Sequence, residues 1–453
     1  MKIRLFTFGL LQGLLLLFSQ PLRSQTDSTG FDPRISALMN QVSQEQLGLH
    51  IQNLASADGH QTRVSYTEGN RWSVNYVKET FESFSGLSSV ALDTFFATGA
   101  VPPHNSEPLF NVVATLEGRQ SPDQVYIIGA HLDATANLDN SLNWETNWPT
   151  AQAPGADDNA SGIAAVLEIA RILSDSSNAF NSTFTVKFIA FGAEERHPAY
   201  SNNNHLGSRH FAEQAYFQGE DILGVYILDM IGFNSTGNHH FEIAANNKSR
   251  ELGEKLLQMN SVYQIGLHAN EPPFPEPTYS DHEAFWQYRY HAILVIENAP
   301  PWANNLPWYT ANPFYHRQGD TFASVNLEQV AKVTKMTLAA VASLSGIVTG
   351  IQPEQSPLNT PASFSLFQNY PNPFNAGTRI DYQLRAQGNV VLTVLNLLGQ
   401  QITTLVDKEQ APGHYSVQWD GKDARGHELP SGIYLYALEV GQRRVVRKMI
   451  FGK

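Results

Sequence analysis

The stretch VYIIGAHLD (125–133) is an apolar run that stops abruptly at a histidine and an aspartate. Three later apolar runs each stop at an acidic residue: TVKFIAFGA (185–193) before Glu194, VYIL (225–228) before Asp229 and AILVI (292–296) before Glu297. Runs of this kind, rich in Val, Ile and Phe, are typical of strands buried on both faces in a helix-covered parallel sheet. Open α/β sheets bind their ligands outside the carboxyl ends of their strands. The pattern therefore predicts that acids and histidines gather at one edge of a single sheet.

Segments with helical patterning surround these runs: RWSVNYVKETFESF (71–84), IAAVLEIARIL (163–173) and LEQVAKVTKMTLAAVASL (327–344). The second is apolar almost all round, as is expected of a helix packed deeply against a sheet. A helix followed by alternating strands and helices predicts an α/β fold, with a mostly parallel-core sheet flanked by helices, over residues 26–345.

The last part of the chain is organised differently. Residues 346–362 contain Pro and Ser without apolar periodicity, which is typical of a linker. Residues 363–453 contain short alternating segments separated by turns: TRIDYQL, VVLTVLNL, HYSVQWD, GIYLYALEV and RRVVRKMIF. Strands at this spacing predict a small all-β sandwich.

Residues 1–24 have the organisation of a signal peptide. Lys2 and Arg4 precede the apolar stretch LLQGLLLLF, and LRS stands before Gln25. A membrane anchor is the alternative, but this stretch is short for a bilayer and no later segment approaches the length of a span. We therefore expect a secreted or cell-surface protein without a stable membrane span.

Composition narrows the possible chemistry. The chain of 453 residues has no cysteine, which excludes disulfides and thiolate ligands, so a metal would be bound by oxygen and nitrogen. The formal net charge of −13, without basic clusters, argues against a nucleic acid or an anionic membrane surface as partner.

Two histidines and three acids form the candidate metal set: His131, Asp158, Glu195, Asp229 and His316. Each has an ordinary alternative on its own: Asp158 could cap a helix, and His316 is one of fifteen histidines. Asp229 is harder to dismiss, because it interrupts the apolar VYILDMIG and a buried unpaired carboxylate is costly. Together the alternatives require independent coincidences at one edge of one sheet, so we interpret the set as ligands.

Imidazole and carboxylate are the zinc ligands that remain when cysteine is absent, and a catalytic zinc keeps one position open for water. The set is large enough for two zinc ions if one aspartate bridges them, and paired ions can polarise a carbonyl and activate a shared water. A neighbouring carboxylate that is not a ligand can accept the water proton. The successive residues Glu194 and Glu195 suit this division, with one binding metal and the other facing the water.

The candidate residues lie in motifs that follow one another in a fixed order: HLD (131–133), GADDNASG (155–162), GAEE (192–195), LGSRHFA (206–212), LDMIG (228–232), SDHEAF (280–285) and YHRQGDT (315–321). This ordered set resembles the M28 zinc aminopeptidases, which include secreted bacterial leucyl aminopeptidases, over roughly residues 36–345. The resemblance implies a zinc exopeptidase fold and a two-zinc hydrolase that removes the N-terminal residue of peptides or proteins.

The resemblance also implies a role for each residue. It assigns the ligands in two groups that share a bridging Asp158: His131 and Asp229 on one zinc ion, Glu195 and His316 on the other. It makes Glu194 the general base and Asp133 the acid that orients His131, a role that metal-bound imidazole generally requires. It further implies a cis peptide between Asp158 and Asn159.

Two alternative functions remain open. A glutaminyl-peptide cyclotransferase resembles this fold and uses one zinc to cyclise an N-terminal glutamine, although GADDNASG and YHRQGDT look more like the peptidase branch. A surface binding protein with a degenerate peptidase domain is less favoured, because a decayed site would be expected to lack at least one ligand.

Two inserts, residues 137–152 and 196–205, depart from the simplest family pattern. Both begin near the expected site, and they either shape substrate access or are solvated loops. The second contains His197 and His205, which we do not count among the catalytic ligands. The aromatic stretch at 301–315 either lines an apolar pocket for the first side chain of a peptide or forms an exposed loop.

The tail carries its own resemblance. FSLFQNYPNPFNAGTRIDYQL, RKMIFGK and the segments between them, over residues 364–453, resemble the sorting domain of proteins exported by the type IX secretion system. The sandwich would be similar to the immunoglobulin-like domain of flagellar hook-cap proteins, with the type IX machinery as a partner. The alternative is a general β-module for stability or carbohydrate contact.

Overall fold

The computed structural model describes residues 30–452, with gaps at residues 98, 179, 201–202, 235–236, 298–310, 347–363, 370, 385–386, 397–399 and 442. The predicted signal peptide (1–24) and all but the first residue of the predicted linker (346–362) lie outside the described residues, so both stay predictions.

The helices are α1 (Pro33–Met39), α2 (Gln44–Ser56), α3 (Glu68–Glu82), α4 (Trp144–Asn147), α5 (Gly162–Ser174), α6 (Leu206–Gln218), α7 (Arg250–Val262), α8 (His282–Gln287) and α9 (Leu327–Ser345). The strands of the α/β domain are β1 (Ser89–Phe95), β2 (Leu109–Leu116), β3 (Ser121–His131), β4 (Phe184–Phe191), β5 (Asp221–Asp229), β6 (His240–Ala245), β7 (His268–Ala269) and β8 (Ala292–Ile296). The strands of the sandwich are β9 (Phe364–Leu366), β10 (Thr378–Leu384), β11 (Gly388–Leu395), β12 (Gln401–Gln410), β13 (Gly413–Trp419), β14 (Gly432–Val440) and β15 (Arg443–Phe451).

The strands of the α/β domain form one mixed sheet, in the order β1-β2-β4-β3-β5-β8-β6-β7. Strand β3 is parallel to β4 and to β5, and β5 is parallel to β8. Antiparallel pairs β1–β2, β2–β4 and β6–β8 extend this parallel core on both sides. The four apolar runs found in the sequence are the four strands of the parallel core, so the predicted fold class is confirmed.

Helices cover both faces of the sheet. Successive side chains of each central strand point to opposite faces, so each strand contributes to two apolar cores. On β3, Ile128 belongs to an apolar core with residues of α5 and α9, whereas Ile127 belongs to a second core that contains Phe211 of α6 and Phe285 of α8. Arg171 is half-buried on α5, and the other side chains of this helix are buried, as its sequence predicts.

The outer strands β1, β2, β6 and β7 were not predicted from the sequence. Strand β1 is mostly exposed at the edge of the sheet, so it lacks the continuous apolar run that marks a buried strand. Within the described part of the chain, no helix is both long and apolar enough for a membrane span.

The C-terminal region is a β-sandwich, as predicted. One sheet has the strand order β13-β10-β9 and the other has the order β12-β11-β14-β15. Their inner faces enclose an apolar core that includes Tyr382, Leu392, Trp419 and Tyr436. Strand β12 was not predicted, because half of its residues are exposed and most of them are polar.

Candidate metal centre and active site

The parallel strands end together at one edge of the sheet. His131 is the last residue of β3 and Asp229 is the last residue of β5. The backbone pairs His131–Phe191 and Asp229–Ile296 place the ends of neighbouring strands level with each other. The polar side chains at these ends therefore meet in one crevice, as the sequence pattern predicts.

Loops bring the remaining candidates to the same edge. Glu194 and Glu195 lie on the turn after β4, and Asp158 lies on the turn that leads into α5. His316 lies on the loop between β8 and α9. The peptide between Asp158 and Asn159 is cis, which confirms the prediction.

The structure brings all of the predicted ligands together. His131 Nε2 lies 3.1 Å from Asp158 Oδ1 and 3.2 Å from Asp229 Oδ1. His316 Nε2 lies 3.2 Å from Asp158 Oδ2 and 3.3 Å from Glu195 Oε2. Each imidazole therefore faces two carboxylates, and Asp158 offers a different oxygen to each. Ligand atoms of His131, Asp158 and Glu195 lie within 4.8 Å of one another.

The second nitrogen of each imidazole is held by an oxygen atom. His131 Nδ1 lies 3.1 Å from the main-chain oxygen of Asp133, and His316 Nδ1 lies 3.0 Å from Asn137 Oδ1. In the tautomers that fit these contacts, Nδ1–H donates to the oxygen and Nε2 is left for a metal. Both rings are thus oriented with Nε2 toward the carboxylates.

The carboxylate of Asp133 makes different hydrogen bonds from those predicted. Its carboxylate Oδ1 is 3.8 Å from His131 Nδ1, beyond hydrogen-bond distance, so only the main-chain oxygen of Asp133 orients that ring. The carboxylate instead accepts hydrogen bonds from the backbone N–H groups of Glu194 at 2.9 Å and Glu195 at 3.1 Å. Asp133 therefore fixes the turn that carries both glutamates.

Two further residues, for which no role was predicted from the sequence, support the candidate ligands. Ser280 Oγ donates to Asp229 Oδ2 at 2.7 Å. Asp320 accepts hydrogen bonds from the backbone N–H groups of Asp157 and Asp158, each at 3.0 Å. Both residues lie in motifs already recognised, SDHEAF and YHRQGDT, so a signal for them was present.

Arg63 is fully buried and joins two loops of the site. Its guanidinium donates to the main-chain oxygens of Leu132 and Gly155, each at 2.8 Å, and to that of Pro154. Burial lowers its pKa to about 10, although the carboxylates around it favour the charged form. Arg63 thus ties the loop after β3 to the loop that leads to Asp158, and no motif had indicated it.

The two inserts pack on the site and on each other. Leu138, in the insert 137–152, donates from its backbone N–H to the main-chain oxygen of His316 at 3.1 Å. His197, in the second insert, is buried against Trp148 of the first, with ring centroids 4.3 Å apart. The first insert therefore holds the loop of a candidate ligand, and His197 contacts aromatic rings.

Glu297, which follows the fourth apolar run, lies outside the ligand set. Asn312 Nδ2 donates to Glu297 Oε1 at 3.2 Å and to Asp157 Oδ2 at 2.9 Å. This contact links the end of β8 to the turn that carries the bridging candidate Asp158.

Most of the aromatic stretch at 301–315 lies outside the described residues, so its predicted role in a substrate pocket stays a prediction. Tyr315, at its end, stacks on the imidazole of His316 with ring centroids 3.7 Å apart.

The buried carboxylates have the properties of a cation site. Burial raises the pKa of Glu195, and it raises the pKa of Glu194 to about 7. Burial acts in the same direction on Asp158, but its contacts with His131 and His316 hold its pKa below the ordinary value. Glu195 Oε1 is buried and has no hydrogen-bond partner among the described residues. Such an oxygen, beside two imidazole nitrogens and other carboxylates, fits a divalent metal such as zinc.

Comparison with protein families agrees with this geometry. Residues 111–341 match the family model of peptidase family M28. This range contains every candidate ligand and both glutamates of the turn after β4. Residues 372–443 match the model of the FlgD Ig-like domain, which corresponds to the C-terminal sandwich.

Several curated proteins are similar in sequence. The uncharacterized protein YfbL of Escherichia coli K12 is 28% identical over 361 residues, which cover 74% of this chain and 96% of that protein. A probable leucine aminopeptidase of Trichophyton verrucosum is 25% identical over 317 residues, 68% of this chain and 75% of that protein. A probable zinc metalloprotease of Phaeosphaeria nodorum is 27% identical over 225 residues, 44% of this chain, and the match spans only 41% of that protein.

Solved structures share the fold. LapB of Legionella pneumophila superposes with a TM-score of 0.54 at 21% identity, covering 69% of this chain and 75% of LapB. A glutaminyl cyclase of Bacteroides thetaiotaomicron superposes with a TM-score of 0.50 at 20% identity, covering 67% of this chain and 98% of the cyclase.

Proposed function

This chain belongs to peptidase family M28 and is a zinc-dependent hydrolase, and from that premise we propose that it is a two-zinc aminopeptidase. Its substrates would be peptides or proteins with a free N-terminus. The observation that carries the proposal is the position of Asp158, which offers one carboxylate oxygen to His131 and the other to His316. A carboxylate shared in this way is suited to bridge two metal ions.

The proposal assigns the donor set in two halves. Asp158 is shared, His131 and Asp229 complete one half, and Glu195 and His316 complete the other. Bound zinc would polarise the scissile carbonyl and make a water molecule more acidic. The chain holds both imidazoles by Nδ1, so that their Nε2 atoms already point at the carboxylates.

Glu194 is the proposed general base. Burial brings its pKa near neutrality, so its carboxylate can take a proton from the attacking water and give it to the leaving amine. Glu195 points in a different direction: its Oε2 faces His316. The hydrogen bonds from both backbone N–H groups to Asp133 keep the two glutamates in these separate positions.

Localisation is a further part of the proposal. The signal-peptide pattern of residues 1–24 and the tail that resembles sorting domains support secretion or surface attachment through the type IX machinery. The match of residues 372–443 to the FlgD Ig-like domain supports the sandwich fold of that tail. In a host with this secretion system, deletion of residues 364–453 should keep the enzyme inside the cell. Undiminished activity in the medium would contradict the sorting role.

One experiment separates the aminopeptidase from the cyclotransferase, whose fold is also similar to this chain. The zinc-loaded protein is incubated with matched peptides that begin with Leu or Gln, and the products are identified by mass spectrometry, with a chelator as control. We expect chelator-sensitive release of free Leu. Loss of ammonia from the Gln peptide, without shortening, would assign the protein to the cyclotransferases.

A further inference from the structure

His205 contacts the proposed general base directly. It is the last residue of the insert 196–205, and its side chain is 1% exposed. Its Nε2 lies 3.0 Å from Glu194 Oε1, and its Nδ1 lies 3.1 Å from Glu283 Oε2. The imidazole is therefore held between two carboxylates, one of which is the proposed base.

The second carboxylate is itself anchored. Glu283, on α8, lies with its Oε2 3.3 Å from Arg209 Nη2 of α6. Its Oε1 accepts a hydrogen bond from Gln287 Nε2 at 2.9 Å. Two helices thus fix Glu283, and through it they fix the position of the His205 ring.

The backbone of His205 is tied to the same turn. Its N–H donates to the main-chain oxygen of Glu194 at 2.8 Å, and the N–H of Leu206 donates to that of Ala193 at 2.8 Å. The φ angle of His205 is 54°, in the left-handed region that residues other than glycine rarely adopt. Such a conformation persists where the surrounding structure determines it, and here those surroundings are the turn that carries Glu194.

The charge of His205 agrees with this arrangement. Burial acts to lower its pKa, but hydrogen bonds to Glu194 and Glu283 raise the pKa to about 10. Both ring nitrogens then carry hydrogens and donate to carboxylates, and hydrogen bonds between charged partners are stronger than neutral ones.

We propose that His205 is a positioning residue for Glu194. It holds Oε1 of the glutamate and leaves Oε2 for proton transfer, so the carboxylate keeps one orientation. Proton transfer depends on such geometry, because a small misplacement of a catalytic group can lower the rate by a large factor. This inference rests on the proposed function, in which Glu194 is the general base, and it adds a residue from an insert that departs from the family pattern.

The test uses the zinc-loaded full chain and the peptide that begins with Leu. We expect H205A to lower kcat by about 10- to 100-fold, with KM and bound zinc per chain nearly unchanged. H205Q retains an N–H donor and should recover part of the loss. H210A is the matched control: His210 lies on α6, the helix that follows His205, and pairs with Asp93 at 3.1 Å, away from Glu194, so the kcat of H210A should equal that of the wild type.

A double-mutant cycle distinguishes positioning from a general structural role. If His205 acts through Glu194, adding H205A to E194Q changes the residual kcat little. An equal fold-loss in both backgrounds, or a rise in KM with unchanged kcat, would overturn the proposal.

A second variant covers the case in which H205A does not fold. E283A removes the carboxylate behind the ring and should lower kcat several-fold at constant KM, whereas an unchanged kcat would overturn the positioning role. If the wild type releases no residue from any peptide, the proposed function fails. If it is active and both variants match it, only the role of His205 fails.

Discussion

The α/β domain and the C-terminal sandwich bury polar groups in opposite ways. The described part of the sandwich buries only neutral polar side chains around its apolar core: Asn369, Thr378, Thr393 and Gln410. The α/β domain buries many acids near one edge of its sheet: Asp133, Asp157, Asp158, Glu194, Glu195, Asp229, Asp281, Glu297 and Asp320. A buried carboxylate is costly unless it is paired or binds a metal. The contrast indicates that the sheet edge is built for chemistry, whereas the described part of the sandwich has no comparable group of buried acids.

Metal removal should have the largest effect on activity and should act on one region only. We expect a chelator to abolish peptide hydrolysis and lower the melting temperature of the α/β domain, because a ligand stabilises only the unit that binds it. The transition of the sandwich should not move. Calorimetry with chelator, and again after zinc is restored, measures both. A shift of the sandwich transition would show that the metal also stabilises the sandwich.

The next largest effect is expected from E194Q. Loss of a general base typically lowers the rate by about 10²- to 10⁴-fold, and Glu194 is not among the proposed ligands, so bound zinc should stay unchanged. Steady-state kinetics and metal analysis of the same preparation test this. Retained activity would show that the base has been assigned wrongly.

R63M should lower stability and metal retention more than it lowers kcat. It leaves three main-chain oxygens without their donor and removes a buried cation among carboxylates, which should cost about 3 kcal/mol of unfolding free energy. R379M in the sandwich is the matched control, because Arg379 forms an exposed ion pair with Asp381 and its loss should cost below about 1 kcal/mol. Urea unfolding measures both, and equal losses would contradict the contrast.

W419A should have the smallest effect on activity. Trp419 is buried in the sandwich core against Phe374, so its truncation should destabilise the sandwich by about 3 to 5 kcal/mol. The kcat of the α/β domain should stay unchanged. A parallel loss of kcat would show that the two regions depend on each other.

The parallel core of the sheet could be predicted because its strands are buried on both faces and carry continuous apolar runs. The outer strand β1 could not, since it is mostly exposed and has no such run. The same difference explains the result for the sandwich. Strands with alternating apolar residues were predicted, whereas β12, whose residues are mostly polar, was missed.

The grouping of the candidate site residues could be predicted where they stand at strand ends or in ordered motifs, as the candidate ligands and Glu194 do. Arg63, Asn137 and His205 could not be assigned in the same way. Each acts through contacts with residues of another loop, and local periodicity carries no information about such contacts. The carboxylate of Asp133 shows a related limit, because a motif names a residue without saying which of its atoms makes a contact.

The contact between Asn137 and His316 joins residues 179 positions apart in the chain. During synthesis, His131, Asp158, Glu195 and Asp229 all leave the ribosome long before His316. A chain that ends before His316 therefore holds four of the five candidate ligands, and Asn137 has not yet met its partner. Because His316 comes last, the complete donor set forms only when nearly all of the α/β domain has been synthesised.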